Sequence, residues 1–407
     1  MRAQLELPRL SLQERDRRYA VVRKEMKARN LDAIVLWGWP LMWDFYTANA
    51  RYLSPIGGNA ECNILIFPIE GEPTSIVQMP TFVEGWKAAQ NWVGDVRART
   101  KSWADSVANC LKERKLDKAR VGMDGYAGPL DPDGWLPHSV HTRLVELLPG
   151  MEIVVMDDML EKIRSIKSQE ELEIIRKAAA VGDKMLRTCA QSARIGVKDC
   201  EVYADMMRAM LAESGEEPTL FLWACDPLPY PHPFRVPTLR PIERGDVIIC
   251  EIHPKFGGYF THVERTFSLG EPHQKQLEIY EGCVAAYQAG MKHFGPGKTI
   301  STALEAVKDE ILSRDLGICE AGIHGHGLAS LEYPRYRHHA IAADREAVKV
   351  IGDRFEEGMV FAFNIDLFDP KWHDGKTGCV FAETVEITAT GAKRMHEFSM
   401  DFQRIAV

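Results

Sequence analysis

The order of apolar and polar positions divides this chain into two stretches of different texture. In the first, short apolar runs alternate with amphipathic segments. SLQERDRRYAVVRKEMKARN (11–30) has apolar residues at helical spacing, and Ser11 stands three before Glu14, a capping-box pattern that predicts a helix start. LDAIVLWGW (31–39) is a continuous apolar run of the length of a buried strand. CNILIFPIEG (62–71) and PTSIVQM (73–79) read as two strands joined by a Gly-containing turn. A helix is predicted near 102–116, a strand at 120–125, a helix near 140–148 and a strand at 151–157. This alternation predicts a small α/β domain with a mixed sheet.

Around Asp157 the periodicity lengthens. Ser168 followed by Glu171 opens a helix that runs to about 191, and a second helix spans about 199–215. Strand-like stretches follow at 219–225, 246–253 and 258–269, with Gly257-Gly258 as a hairpin turn. Helices are predicted at 273–292 and 300–314, and late strands at 359–367 and 379–388. Blocks of helix and strand make this half α+β. The boundary is set between a domain of residues 1–158 and one of 159–407.

Composition changes the picture only by exclusion. Hydrophobic residues are 45% of the 407, ordinary for a globular protein with a full core. The net charge is −8, with no Lys/Arg stripe, which argues against a nucleic-acid partner. No apolar run approaches a membrane span, and MRAQLELPRLSLQERDRRYA lacks the apolar centre of a secretory signal. The nine cysteines are scattered, with no C-x-x-C pair, which points to free thiols in a reducing compartment. A cytoplasmic protein is expected.

Four segments of the second half carry chemistry: DPLPYPHPFRVPT (226–238), RGDVIICEIHPKFGGYFTHVERTFSLG (244–270), GIHGHGLAS (322–330), and EEGMVFAFNIDLF (356–368) with GCVFAETVEITATG (378–391). Glu251 sits in a strongly apolar strand, where a carboxylate is costly to bury unpaired; nucleophile and water activator are both open roles. His326 lies between glycines that allow close approach to a site, with His324 as a structural neighbour. Arg335, Arg337, His338 and His339 form a basic cluster, suited to a substrate carboxylate or to a solvated loop. Trp37, Trp39, Trp43 and Tyr46 read as core.

In order along the chain, Arg164-x-Ile166-Lys167-Ser168-x-x-Glu171, Gly245-Asp246-Val247, Gly257-Gly258-Tyr259 with Glu264-Arg265-Thr266, Gly325-His326-Gly327, Glu356-x-Gly358-Met359-Val360 and Glu383-Thr384-Val385-x-Ile387-Thr388 resemble the pita-bread family. That family includes aminopeptidase P, prolidase, methionine aminopeptidase and creatinase. The resemblance covers roughly 160–395, and more loosely the N-terminal domain. It implies a pita-bread C-terminal domain behind a creatinase-type N-terminal domain, a dimer, and a site on the concave sheet face.

Family peptidases hold two divalent cations on two Asp, one His and two Glu. The matching positions here are Glu251, His262, His326, Asn364 and Ala382, with Glu383 one place off. Asn364 offers a neutral amide and Ala382 nothing, too few anionic oxygens for two dications. Creatinase, by resemblance, works without metal. His232 matches its proton-transferring histidine and Glu264 its anchor for a cationic group. Catalytic roles are therefore expected for His232, Glu251, Glu264 and His326. Substrate contacts are expected from His262, Asn364, Arg335, Arg337 and Glu383. Arg51, in ARYLSPIGGNAEC (50–62), would reach the site of the partner in a homodimer. The expected activity is metal-free hydrolysis of a C–N bond in a small charged or zwitterionic compound: an amidine, an amidino compound or an amide. Two alternatives stay open. One is a peptidase or lyase with one Zn, Mn or Fe ion on Glu251, His262 and His326. The other is a peptide-binding module without catalysis.

Overall fold

The computed structural model describes residues 8–41, 43–58, 61–127, 133–156, 158–217, 220–232, 236–339 and 354–407, without the side chains of 335–339. The chain forms two compact units, Met1–Arg164 and Ser165–Val407.

The first unit is built on strands β1 (Ala33–Gly38), β2 (Asn63–Pro68), β3 (Thr74–Val77), β4 (Asp95–Ala98), β5 (Arg120–Met123) and β6 (Glu152–Val155), ordered β4-β3-β2-β1-β5-β6. β1 pairs antiparallel with β2 and parallel with β5, so the sheet is mixed. All six residues of β1 are buried, which is why its sequence is a continuous apolar run and does not alternate. Helix Leu12–Ala28 starts where Ser11 predicts, with its hydroxyl accepting from Glu14 N–H. The reciprocal half of the box is replaced: the Glu14 carboxylate accepts from Arg17 and Arg18 instead. Trp37 is core, whereas Trp43 stays 36% exposed. Helix Pro80–Ala89 and strand β4 had no prediction; the helix is short, and its apolar side chains Phe82, Val83 and Trp86 are only partly buried against the core.

The second unit adds β7 (Phe221–Asp226), β8 (Val247–Ile252), β9 (Lys255–Phe256), β10 (Tyr259–Phe260), β11 (Val263–Leu269), β12 (Gly317–Gly325), β13 (Glu332–His339), β14 (Val360–Phe368), β15 (Gly378–Thr388), β16 (Gly391–Arg394) and β17 (Gln403–Ile405). The large sheet runs β13-β12-β14-β15-β11-β8-β7. One face is apolar. Helices Gln274–Met291 and Ile300–Ser313 bury Phe361, Phe363, Ile365 and Phe381. Helices Gln169–Ser192 and Asp199–Ser214 bury Trp223, Cys250 and Phe267. Each such side chain contributes about 1.5–3 kcal/mol. Helix Gln169–Ser192 opens with a complete capping box between Ser168 and Glu171. With the odd positions of β14 and β15 committed to the core, strand alternation turns Asn364, Asp366 and Ala382 to the opposite face.

The stretch expected as one strand over 258–269 is two. Tyr259–Phe260 closes a hairpin with Lys255–Phe256, and the chain re-enters the sheet at Val263. Gly257 and Gly258 have φ of 58° and 81°, the left-handed pair a two-residue hairpin turn requires. Residues 322–325, the first four of GIHGHG, end a nine-residue strand, β12, that its glycine content concealed.

Candidate functional site

The face opposite these helices carries the polar row. Glu264 on β11 is opposite Glu251 on β8 and Ala382 on β15; Asn364 on β14 is opposite Ala382 and Gly322. The next row brings Asp366 opposite Glu320 and Val380. At the other end, His253 continues β8 through a backbone bond to Leu220, and His262 precedes β11. Thr384 holds His262 in place: its hydroxyl accepts from His262 N–H at 2.7 Å and donates to the His262 carbonyl at 2.9 Å. The capping-box residue Glu171 also accepts from Tyr259 OH at 3.1 Å, tying the hairpin to the helix behind it.

Two groups share this face. In the first, His232 Nδ1 lies 3.0 Å from Asp366 Oδ2 and 3.8 Å from Glu320 Oε2. Asp366 is buried, and burial holds its carboxyl well above the usual range, with Glu264 and Glu320 pushing the same way. In the second, Glu251 Oε1 meets His253 Nε2 at 2.9 Å and His262 Nε2 at 3.6 Å, while Glu264 Oε1 meets His262 Nε2 at 3.0 Å. The rings of His253 and His262 stack with centroids 4.2 Å apart, and His326 lies 5.5 Å and 5.9 Å from them. His326 is fully buried, and neither ring nitrogen has a hydrogen bond among the described residues. Burial, then the nearby His262, keeps its imidazole well below the ordinary pKa, so it is neutral at physiological pH.

Glycine makes the approach of His326 feasible. A Cβ on Gly325 would fall 2.4 Å from the Tyr333 carbonyl, and one on Gly327 would fall 2.7 Å from a Glu332 carboxylate oxygen. That carboxylate pairs with Lys167 at 3.0 Å, both side chains being 1% exposed. The Lys167 of the helix-opening motif thus fastens the loop that carries His326.

The structure gathers His232, Glu251, Glu264, His262, His326 and Asn364 on this face, with Asn364 Nδ2 donating to Glu264 Oε1 at 3.4 Å. Glu383 is elsewhere. It faces the helices, paired with Arg265 and, at 3.3 Å, with Arg394, so the substrate contact expected of it is corrected to a core ion pair. The cause is strand parity: Glu383 is one residue from Ala382. Arg335 and Arg337 are on β13, with backbones opposite His324 and Gly322; their side chains lie outside the described residues. Arg51 belongs to the first unit, where its guanidinium packs on Gly58. His253, Glu320 and Asp366 had no role in the sequence reading. The signal was there for two of them: His253 is two residues from Glu251, Asp366 two from Asn364, and a spacing of two means one face.

A smaller mixed α/β unit before a helix-backed α+β sheet with an imidazole–carboxylate face defines a two-domain hydrolase of the pita-bread class. Residues 173–389 match metallopeptidase family M24, and 18–166 match the creatinase/prolidase N-terminal domain. The chain belongs to the M24 family, the creatinase, aminopeptidase P and prolidase group, and is an enzyme that hydrolyses C–N bonds. It is 29% identical over 267 residues to an Xaa-Pro dipeptidase of Pyrococcus furiosus, covering 65% of this chain and 72% of that one. A creatinase of a Bacillus species is 23% identical over 299 residues, 72% of this chain and 70% of that one. The fold superposes on an Xaa-Pro dipeptidase from Bacillus anthracis with TM-score 0.75 and 19% identity, over 96% of this chain and 99% of that one.

The family implies divalent metal. The two-ion cage implied for its peptidases does not fit this face, because Ala382 ends in a methyl group and Asn364 offers only a neutral amide oxygen where a bridging carboxylate is needed. Among the described residues, three groups place ligand atoms within 4.8 Å of one another: His253/His262/His326, Glu251/His262/Glu264 and His232/Glu320/Asp366.

Proposed function

We propose that the protein hydrolyses a C–N bond in a small cationic or zwitterionic compound, an amidine, amidino compound or amide. The observation that carries this reading is the contact of His232 with Asp366, flanked by Glu264 and Glu320. Three carboxyl groups crowded in a buried space disfavour one another's ionisation, and a planar cation entering it relieves that repulsion. A second carboxylate beside Glu264 for such a cation is Asp366, two residues along β14 from Asn364 and on the same face.

His232 is half-buried, hydrogen-bonded at Nδ1 and able to present Nε2 to substrate. It takes a proton from the attacking water as oxygen bonds to carbon. It returns that proton to the nitrogen as the C–N bond breaks. Asp366 sets the ring orientation, and Glu264 anchors the charged end. Of the two metal readings, the one-ion alternative is carried forward, since buried imidazoles cluster here; a bound ion would polarise the scissile group or a water.

The Xaa-Pro dipeptidase relatives favour a second reading, cleavage of a short peptide at an atypical centre. We further propose a cytoplasmic homodimer: nine free cysteines support a reducing compartment, and among the described residues no helix is long and apolar enough to cross a membrane. The test is a panel of small amidines, guanidino acids and amides beside Xaa-Pro dipeptides, scored by released product. Turnover of the small cationic compounds that His232→Ala abolishes supports the proposal. Turnover confined to Xaa-Pro dipeptides defeats it.

A further inference from the structure

We infer that His253, His262 and His326 form a mononuclear site for one divalent transition-metal ion, with a ligand set different from the carboxylate-rich pair of the family's peptidases. All three side chains are buried, and each offers a ring nitrogen within 4.8 Å of the others. Three imidazoles converging in a buried space must each be desolvated, and neutral rings gain little from one another. His326 makes the cost explicit, since neither of its nitrogens is hydrogen-bonded among the described residues. A metal ion satisfies such a nitrogen.

The surroundings match what such a site needs. Imidazole ligands commonly give their second nitrogen to a carboxylate, which fixes the tautomer and raises ligand basicity. Here Glu251 Oε1 sits 2.9 Å from Nε2 of His253, and Glu264 Oε1 sits 3.0 Å from Nε2 of His262. Those two carboxylates also balance the two positive charges of the ion. Three neutral nitrogens select a borderline ion such as Zn²⁺, Fe²⁺ or Co²⁺ over Mg²⁺ or Ca²⁺, which prefer oxygen. His253 makes the difference: it adds a nitrogen two residues beyond Glu251, and Glu251 becomes its orienting partner. The site shares Glu264 with the proposed reaction, but it rests on the three imidazoles and not on that reading.

The full chain, stripped by chelation and dialysis, is titrated with Co²⁺ as the probe and followed by visible absorption and elemental analysis, without substrate. The expected result is one equivalent bound, visible d–d bands and displacement by Zn²⁺. His253→Ala and His253→Gln should each weaken binding by about tenfold or more. Gln preserves side-chain bulk and a donor for Glu251, so it carries the test if the alanine variant fails to fold. His324→Ala, outside the three-ligand group, should keep one equivalent, as should His232→Ala. Substoichiometric Co²⁺ without d–d bands, two equivalents per chain, or unchanged affinity in the folded His253 variants would each overturn the site. Retained metal in a His232→Ala protein that has lost turnover separates this inference from the proposed reaction.

Discussion

His232 and Asp366 are 134 residues apart in the chain, yet Nδ1 of one lies 3.0 Å from Oδ2 of the other. Asp366 is buried in β14, whereas His232 keeps 20% of its side chain exposed. One proton can therefore be held between a solvent-reachable base and a carboxyl group that resists ionisation.

Replacing His232 by Ala should lower kcat by about 10²–10⁴-fold, the usual worth of a positioned acid–base group. Asp366→Asn should cost less, because an amide still accepts from or donates to the ring. The measurement is kcat and KM for the first small cationic substrate found. Equal losses in both variants would contradict the division of roles.

The raised carboxyl of Asp366 has a consequence for stability against pH. Its folded pKa lies above its unfolded one, so between the two values the folded state binds more protons and stability falls as pH rises. Asp366→Asn removes that cost. In urea melts the variant should be more stable than wild type at neutral pH, and the gap should close as pH falls toward about 4. A gap independent of pH would mean the carboxyl ionises freely.

Binding of a cation to this face should expel the proton of Asp366. Calorimetry of a cationic ligand in buffers of different ionisation enthalpy should give apparent binding enthalpies that differ in proportion to it, with affinity rising with pH. Buffer-independent enthalpy would count against a protonated Asp366.

Arg265 and Glu383 are both buried, and the guanidinium also stacks 4.6 Å from the Phe381 ring centre. Arg265→Ala leaves the buried Glu383 carboxylate with only the part-exposed Arg394 at 3.3 Å and should cost about 3 kcal/mol in denaturant unfolding. A loss under about 1 kcal/mol, the range of an exposed pair, would return Glu383 to the list of site candidates.

Thr384→Val keeps the shape of the side chain but removes both hydrogen bonds to the His262 backbone. Stranding a buried N–H and C=O should cost about 1–3 kcal/mol per group. Unfolding in urea that matches wild type would show that His262 is fixed by something else.

The helices and strands of the second unit were legible because most of its strands and helices keep one periodicity from end to end. Helix Gln169–Ser192 shows this best, with its cap box visible as Ser168 and Glu171. β12 was missed, since Gly317, Gly322 and Gly325 carry no side chain to mark a pleat. Within the site, Glu251, His262 and His326 could be found by matching an ordered set of motifs. His253 could not, because no motif asks for it, and only spacing of two from Glu251 hinted at its face.

Which residues share a face follows from parity along each strand, and parity is written in the order of amino acids. That is why Glu383 points to the opposite face from Ala382, its neighbour on the same strand. Which strands lie side by side is not written there, because hydrogen-bonded ladders join segments over a hundred residues apart through a backbone all residues share. The pairing of β14 with β12 set Asp366 beside Glu320, and the fold then brought His232 to Asp366. The meeting of His253, His262 and His326 likewise depended on how β8, the hairpin and the end of β12 converge. Local chemistry named the groups, and long-range strand pairing chose their neighbours.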